Sequence, residues 1–100
     1  MKIKIHSIHF DADQKLESFI STRMDKLDQY FDNIINGEVY LRLDKSDSND
    51  NKVAEIKLHI PGSELIVKKQ SKSFEEATDI AVEALKRQVK KHKEKSRNHQ

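Results

Sequence analysis

The sequence predicts an α+β domain of order β-α-β-β-β-α, a four-stranded sheet with two helices packed on one face. Two stretches repeat apolar residues at helical steps of three and four, and four shorter stretches alternate apolar with polar. The last three strands follow one another with no helix between them, joined by a long polar loop and then a turn. With 100 residues, 36% of them charged and 35% apolar, the chain has room for one small core and excludes a multidomain enzyme. Leu, Ile, Val and Phe together number 26, above the ~20% at which a charged chain stays disordered.

Lys2 to Ile8 sets Ile3 and Ile5 against Lys2, Lys4 and His6, the period-two pattern of a half-buried strand. Asp13 then stands as N-cap before Leu16, Phe19, Ile20, Met24, Leu27, Tyr30 and Phe31, an apolar stripe on a helix of about five turns. Asn36-Gly37 closes the connection as a turn that tolerates positive φ. Val39, Leu41 and Leu43 mark the second strand, and Ala54, Ile56, Leu58 and Ile60 the third. Between them Asp44 to Lys52 has no apolar residue and forms a long, mobile hairpin loop. Pro61-Gly62 turns the chain into a fourth strand, with Leu65 and Val67 facing the core and Lys69 at the sheet rim. Ser73 and Glu76 have capping-box spacing, and Phe74, Ala77, Ile80, Ala81, Ala84, Leu85 and Val89 form the buried stripe of the second helix. Residues 1–95 are read as the domain and 96–100 as a short polar tail.

The net charge of +2 conceals a segregation. From Glu83 to Arg97 there are seven bases against two acids, a net of +5, which leaves −3 on the remainder. Beyond Val89 the apolar stripe stops while the bases continue, with Lys86, Lys90 and Lys93 on one ridge and Arg87 and Lys91 on the next. The helix dipole favours cations only over the last turn, so a longer basic run points to a polyanionic partner. With no aromatic residue among these bases, recognition by shape and backbone of folded or double-stranded RNA fits better than base stacking. The helix opens acidic at Glu75, Glu76 and Asp79, unlike the last helix of a double-stranded-RNA-binding domain.

Other chemistries are excluded. Two glycines, neither at Walker spacing, make no phosphate-cradling loop, so no nucleotide cofactor is expected. His6 and His9 point to opposite faces and are ordinary surface histidines, and Asp47, Asn49 and Asn51 mimic a calcium loop that fails at Lys52 and Leu58, so no metal is expected. No serine has the spacing of an activated nucleophile, and neither catalysis nor a small-molecule substrate is expected. There is no cysteine, no apolar run of about 20 residues and no signal-peptide core, which places the protein in the cytoplasm and away from membranes.

The segments Lys26-Leu27-Asp28-Gln29-Tyr30-Phe31-Asp32, then Ala54-Glu55 with His59 and Gly62, then Leu85-Lys86-Arg87-Gln88-Val89-Lys90-Lys91-His92-Lys93 resemble the ribosome hibernation promoting factor family. That family also includes ribosome-associated inhibitors and sigma-54 modulation proteins. The resemblance spans nearly the whole chain and implies the same β-α-β-β-β-α fold. It implies binding to ribosomal RNA of the small subunit near the decoding region, where the protein occludes the messenger channel and the A and P sites in stress or stationary phase. Position by position it implies RNA-facing roles for Arg23, Lys26, Arg87, Lys90 and Lys91, with Lys86 and Lys93 as supplements. The lysine usual before the leucine matched by Leu85 is here Ala84, so one contact is lost or passes to Lys86. The chain resembles the short form, without a ribosome-pairing domain or an acidic tail, and a second hibernation factor is a further expected partner. The competing reading is a protein-interaction module whose basic helix docks on an acidic protein, as the sigma-factor name suggests.

Overall fold

The structure is a computed structural model that describes the backbone of residues 1–45 and 49–97 and the side chains of residues 1–45 and 49–92. Its elements are β1 (Lys2–Ser7), α1 (Gln14–Asp25), a 3-10 turn (Lys26–Gln29), β2 (Asn36–Leu43), β3 (Lys52–Ile60), β4 (Ser63–Ser71) and α2 (Phe74–Arg97). The sheet order is β1-β2-β3-β4, with β1 parallel to β2 and the other neighbours antiparallel. The expected architecture is therefore the observed one. α1 supplies the crossover that a parallel β1–β2 pair requires, while two hairpins build the rest. Both helices pack on one face, and β1 and β4 are the edges. The polar tail expected over 96–100 lies outside the described residues beyond Arg97.

The core forms where the alternating strand residues meet the helical stripes. Val39, Leu41, Ala54, Ile56, Leu58, Ile60 and Val67 from the sheet pack with Ile20, Met24 and Leu27 and with Ala77, Ala81, Leu85 and Val89. Asp13 caps α1 as expected, its carboxylate accepting from the Leu16 amide at 2.8 Å, and the Ser73 hydroxyl accepts from the Glu76 amide at 3.1 Å. The Asp44–Lys52 segment joins β2 to β3 as a hairpin, tied at its base where the Asp44 amide donates to the Asn51 carbonyl at 2.8 Å. Asp47 lies outside the described residues.

Four expectations need correction. The first helix is 12 residues of α-helix followed by four of 3-10, because the Tyr30 and Phe31 amides both return to the Leu27 carbonyl, at 3.0 and 3.2 Å. The chain then leaves the helix to bury Phe31 and Ile34, which turns Tyr30 outward at 48% exposure. Asn36 and Gly37 form no positive-φ turn and instead open β2, paired with Lys2 and Ile3 on one side and His59 and Leu58 on the other. Among the described residues only His9 and Gly62 are left-handed, Gly62 completing the Pro61-Gly62 turn. Gly37 instead suits a close approach, since a Cβ there would lie 2.7 Å from Met24 Cε and 3.3 Å from Met1 Sδ, and the ends of these two flexible side chains would have to shift to admit it.

The other two corrections concern the ends of the core. Leu43 is 54% exposed at the end of β2, where the hairpin runs past the helical layer. On α2, Ile80 is 40% exposed while Thr78 and Val82 are buried. The helix is wedged between the sheet and α1, so its inner arc is centred on 78, 81, 82, 85 and 89. Ile80 therefore falls on the outer arc, on the same side as Arg87 and Lys91.

The basic ridge as a candidate nucleic-acid interface

α2 is buried along one face as far as Val89, and beyond that its backbone continues as helix to Arg97. Helical geometry turns Arg87, Lys90 and Lys91 away from the core, and all three are exposed without a hydrogen bond or ion pair to any described residue. Lys86 sits on the flank toward α1, where its ammonium donates to Glu83 Oε1 at 3.1 Å and lies 5.0 Å from the centre of the Tyr30 ring. The Glu83 hydrogen bond, above all, raises the Lys86 ammonium above the ordinary lysine range. Its ammonium is thus already partnered on its own helix. His92 presents its edge to the Phe31 ring, with centroids 6.1 Å apart, which anchors the helix against the segment after α1.

The first helix divides its two bases. Arg23 Nε donates to Asp79 Oδ1 at 2.6 Å, and the guanidinium stacks on Phe19 at 4.4 Å. Arg23 is therefore a clamp between α1 and α2. Lys26, at the junction of α1 and the 3-10 turn, is exposed, and its side chain has no hydrogen bond or ion pair among the described residues. The side chain of Lys93 lies outside the described residues. Ala84 is 8% exposed and faces the β4 edge with Gln88, so Lys86 and Ala84 occupy opposite flanks of α2.

Tyr30 was not among the expected site residues, because its spacing assigned it to the buried stripe. The structure places it beside the ridge instead, where Tyr30, Glu83, Lys86, Arg87, Val89 and Lys90 line an open groove of about 430 Å³. Spacing alone held no signal for this, since adjacent residues about 100° apart can share a wide buried face, as Ala81 and Val82 do on α2, and it is the 3-10 turn that sends Tyr30 outward. The groove adds an aromatic ring to a basic surface that sequence alone had left without one. A phosphate backbone would meet cations here, and an unstacked base would meet Tyr30.

The opposite, open face of the sheet carries a second polar cluster. His6 is no isolated surface histidine, for its ring stacks on Tyr40 at 4.7 Å and its Nε2 lies 3.6 Å from Glu38. His59 bridges Glu38 at 3.0 Å and Glu64 at 3.2 Å. The Tyr40 hydroxyl, which donates to Glu38 at 2.7 Å, and then His59 hold the Glu38 carboxylate below its usual range. Because this carboxylate is more acidic in the fold than in the unfolded chain, its contribution is present above the ordinary Glu range and is lost as pH falls through it. Glu38→Gln is expected to flatten the acid limb of stability between about pH 5 and 3, checked by urea midpoints across that range. No three His, Asp or Glu side chains among the described residues are placed to share a metal ion. No helix among the described residues is long and apolar enough to cross a membrane.

Comparison with known proteins agrees on one family. The curated ribosome hibernation promoting factor of Pseudomonas putida is 29% identical over 98 residues, covering 98% of this chain and 92% of that protein. The protein of the same name from Escherichia coli is 28% identical over 99 residues, covering 99% of this chain and all of its own length. The crystal structure of the Thermus thermophilus Protein Y N-terminal domain superposes with a TM-score of 0.80 at 26% identity, over 92% of this chain and 99% of that one. A ribosomal subunit interface protein from Coxiella burnetii shares the fold with a TM-score of 0.82 at 18% identity, over 93% of this chain and 98% of its own. The profile described as sigma 54 modulation protein / S30EA ribosomal protein matches residues 3–97, and the chain belongs to that family.

Proposed function

We propose that this protein acts in ribosome hibernation, binding the small ribosomal subunit by laying Lys26, Arg87, Lys90 and Lys91 on ribosomal RNA phosphates. The observation that carries this reading is that these four cations stand exposed and uncompensated on the helical side of the fold, while Arg23 and Lys86 are already paired. An anion that approaches the ridge breaks no internal ion pair at those positions. The named relatives, ribosome hibernation promoting factors matched along nearly their whole length, support the ribosome as the partner that carries the polyanion. Docked near the decoding region, a domain with extents of 49 × 25 × 18 Å would fill space that messenger and transfer RNA need. Inhibition is then occlusion, no reaction is catalysed, and the work is done in the cytoplasm.

Four phosphate contacts set the expected salt response. With a slope of about −0.7 to −0.9 per contact, affinity for purified small subunits falls about 100-fold between 50 and 200 mM salt. A flat response removes the phosphate mechanism. Nuclease treatment separates this reading from docking on an acidic protein, since association that survives RNA digestion with a defined protein partner supports the latter. A density gradient of starved cells tests the same proposal in vivo, with the protein expected in fractions that contain small subunits.

A further inference from the structure

The β4 edge is self-complementary. β4 runs from Ser63 to Ser71 as an outer strand, with nothing beyond it in the sheet order. One residue before its midpoint, Ile66 points to the open face and is 48% exposed, an unusual residue for an unprotected edge. Two positions to either side on that face stand Glu64 and Lys68. Lys68 makes no hydrogen bond or ion pair with any described residue, and its cross-strand neighbour Glu55 is already held by Arg42 at 3.1 Å.

Lysines on an edge strand ordinarily deter pairing, because like charges meet when two edges approach. The sign pattern here reverses that rule for one arrangement. We infer that β4 is an association surface for a second copy of this chain, the two strands antiparallel about a two-fold axis through Ile66. In that register Ile66 meets Ile66 of the second copy, and Glu64 meets Lys68 on both sides of the axis. Leu65 meets Val67 on the core face, and Ser63 meets Lys69 at the ends. The two sheets become one of eight strands with all helices on one side, and the outward backbone groups between Ser63 and Lys69 of both edges are paired. Moving the axis by one residue sets Glu64 or Lys68 opposite Ile66 and loses both the apolar and the charged match. Ala84 and Gln88 of α2 border the same edge, and the small side chain at 84 leaves the helix flank low there.

In this register seven of the nine β4 residues pair, which gives an interface of the small, reversible class. Sedimentation of the purified protein without ribosomes is expected to show a monomer–dimer equilibrium at about 0.1–1 mM, with Glu64→Lys or Lys68→Glu alone weakening it about tenfold. The double swap Glu64→Lys/Lys68→Glu restores it to within about twofold, because the register then exchanges the signs of the same pairs. The chain has no cysteine, so disulfide capture is unambiguous. Ile66→Cys is expected to cross-link to its own counterpart under mild oxidation, since positions facing each other across the axis bring their Cβ atoms to about 4.5–5.5 Å. Glu64→Cys, about 13 Å from its counterpart at ~3.3 Å per residue, is not. A monomer at every concentration, failure of the double swap to restore association, or equal capture at 64 and 66 would overturn the inference.

Discussion

Changing Arg87, Lys90 and Lys91 together to glutamate is expected to abolish cosedimentation with small ribosomal subunits while leaving the fold intact. The triple substitution shifts the net charge by six units, from +2 to −4, and does so on the outer arc of one helix. Each lost phosphate contact removes a share of counterion release, and each new carboxylate repels the same phosphates, so the affinity loss is at least about 100-fold. Stability responds differently. The three side chains are exposed and have no partner among the described residues, and substitutions of that kind usually stay within about 0.5 kcal/mol each. Positions 87–91 also lie before the last turn of α2, so the helix dipole contributes little there. Binding curves and thermal melts on the same preparation check both halves. Lys86→Gln should weaken binding less than Lys90→Gln, because Lys86 is already paired with Glu83. Retained binding by the triple variant would mean that the ridge is not the contact.

What the sequence disclosed followed from periodicity and what it hid followed from tertiary packing. The strand residues Ala54, Ile56, Leu58 and Ile60 alternate so cleanly that their burial was legible in advance, as were the caps at Asp13 and Ser73. The basic ridge was legible for the same reason, since its spacing continues after the apolar stripe ends. Spacing does not say how wide a buried arc is or where the second helix cuts into it. Ile80 and Thr78 exchanged roles on that account, and Tyr30 left the core because the chain turns away after the 3-10 segment. Charge counting likewise cannot separate a free cation from a paired one. Arg23 and Lys90 count equally in the sequence, yet Asp79, 56 positions later in the chain, takes Arg23 into a structural clamp. Gly37 was read as a turn residue because glycine has two common uses, conformational freedom and close approach, and only the position of Met24 decides between them.

Leu85→Ala is expected to have the largest effect on stability, and it separates the scaffold from the surface it carries. Leu85 is fully buried where α2 meets the sheet, on the face opposite Arg87 and Lys91. Removing three carbons there forfeits transfer free energy and leaves a cavity that the stiff sheet beneath fills only partly, a loss of about 2–5 kcal/mol. For a domain whose total stability is about 5–15 kcal/mol, that loss is a large fraction, and it lowers the melting temperature by roughly 8–40 °C at 4–8 °C per kcal/mol. Ile80→Ala, at an exposed position on the same helix, should cost less than about 1 kcal/mol. Ribosome binding distinguishes a weakened fold from a damaged interface. Well below its midpoint the Leu85→Ala protein should bind small subunits with nearly wild-type affinity, since no ridge side chain has changed, and binding should fall in parallel with the folded fraction as temperature rises. A tenfold loss of affinity in the cold, with circular dichroism showing a folded chain, would instead mean that core packing sets the angle at which α2 presents its cations.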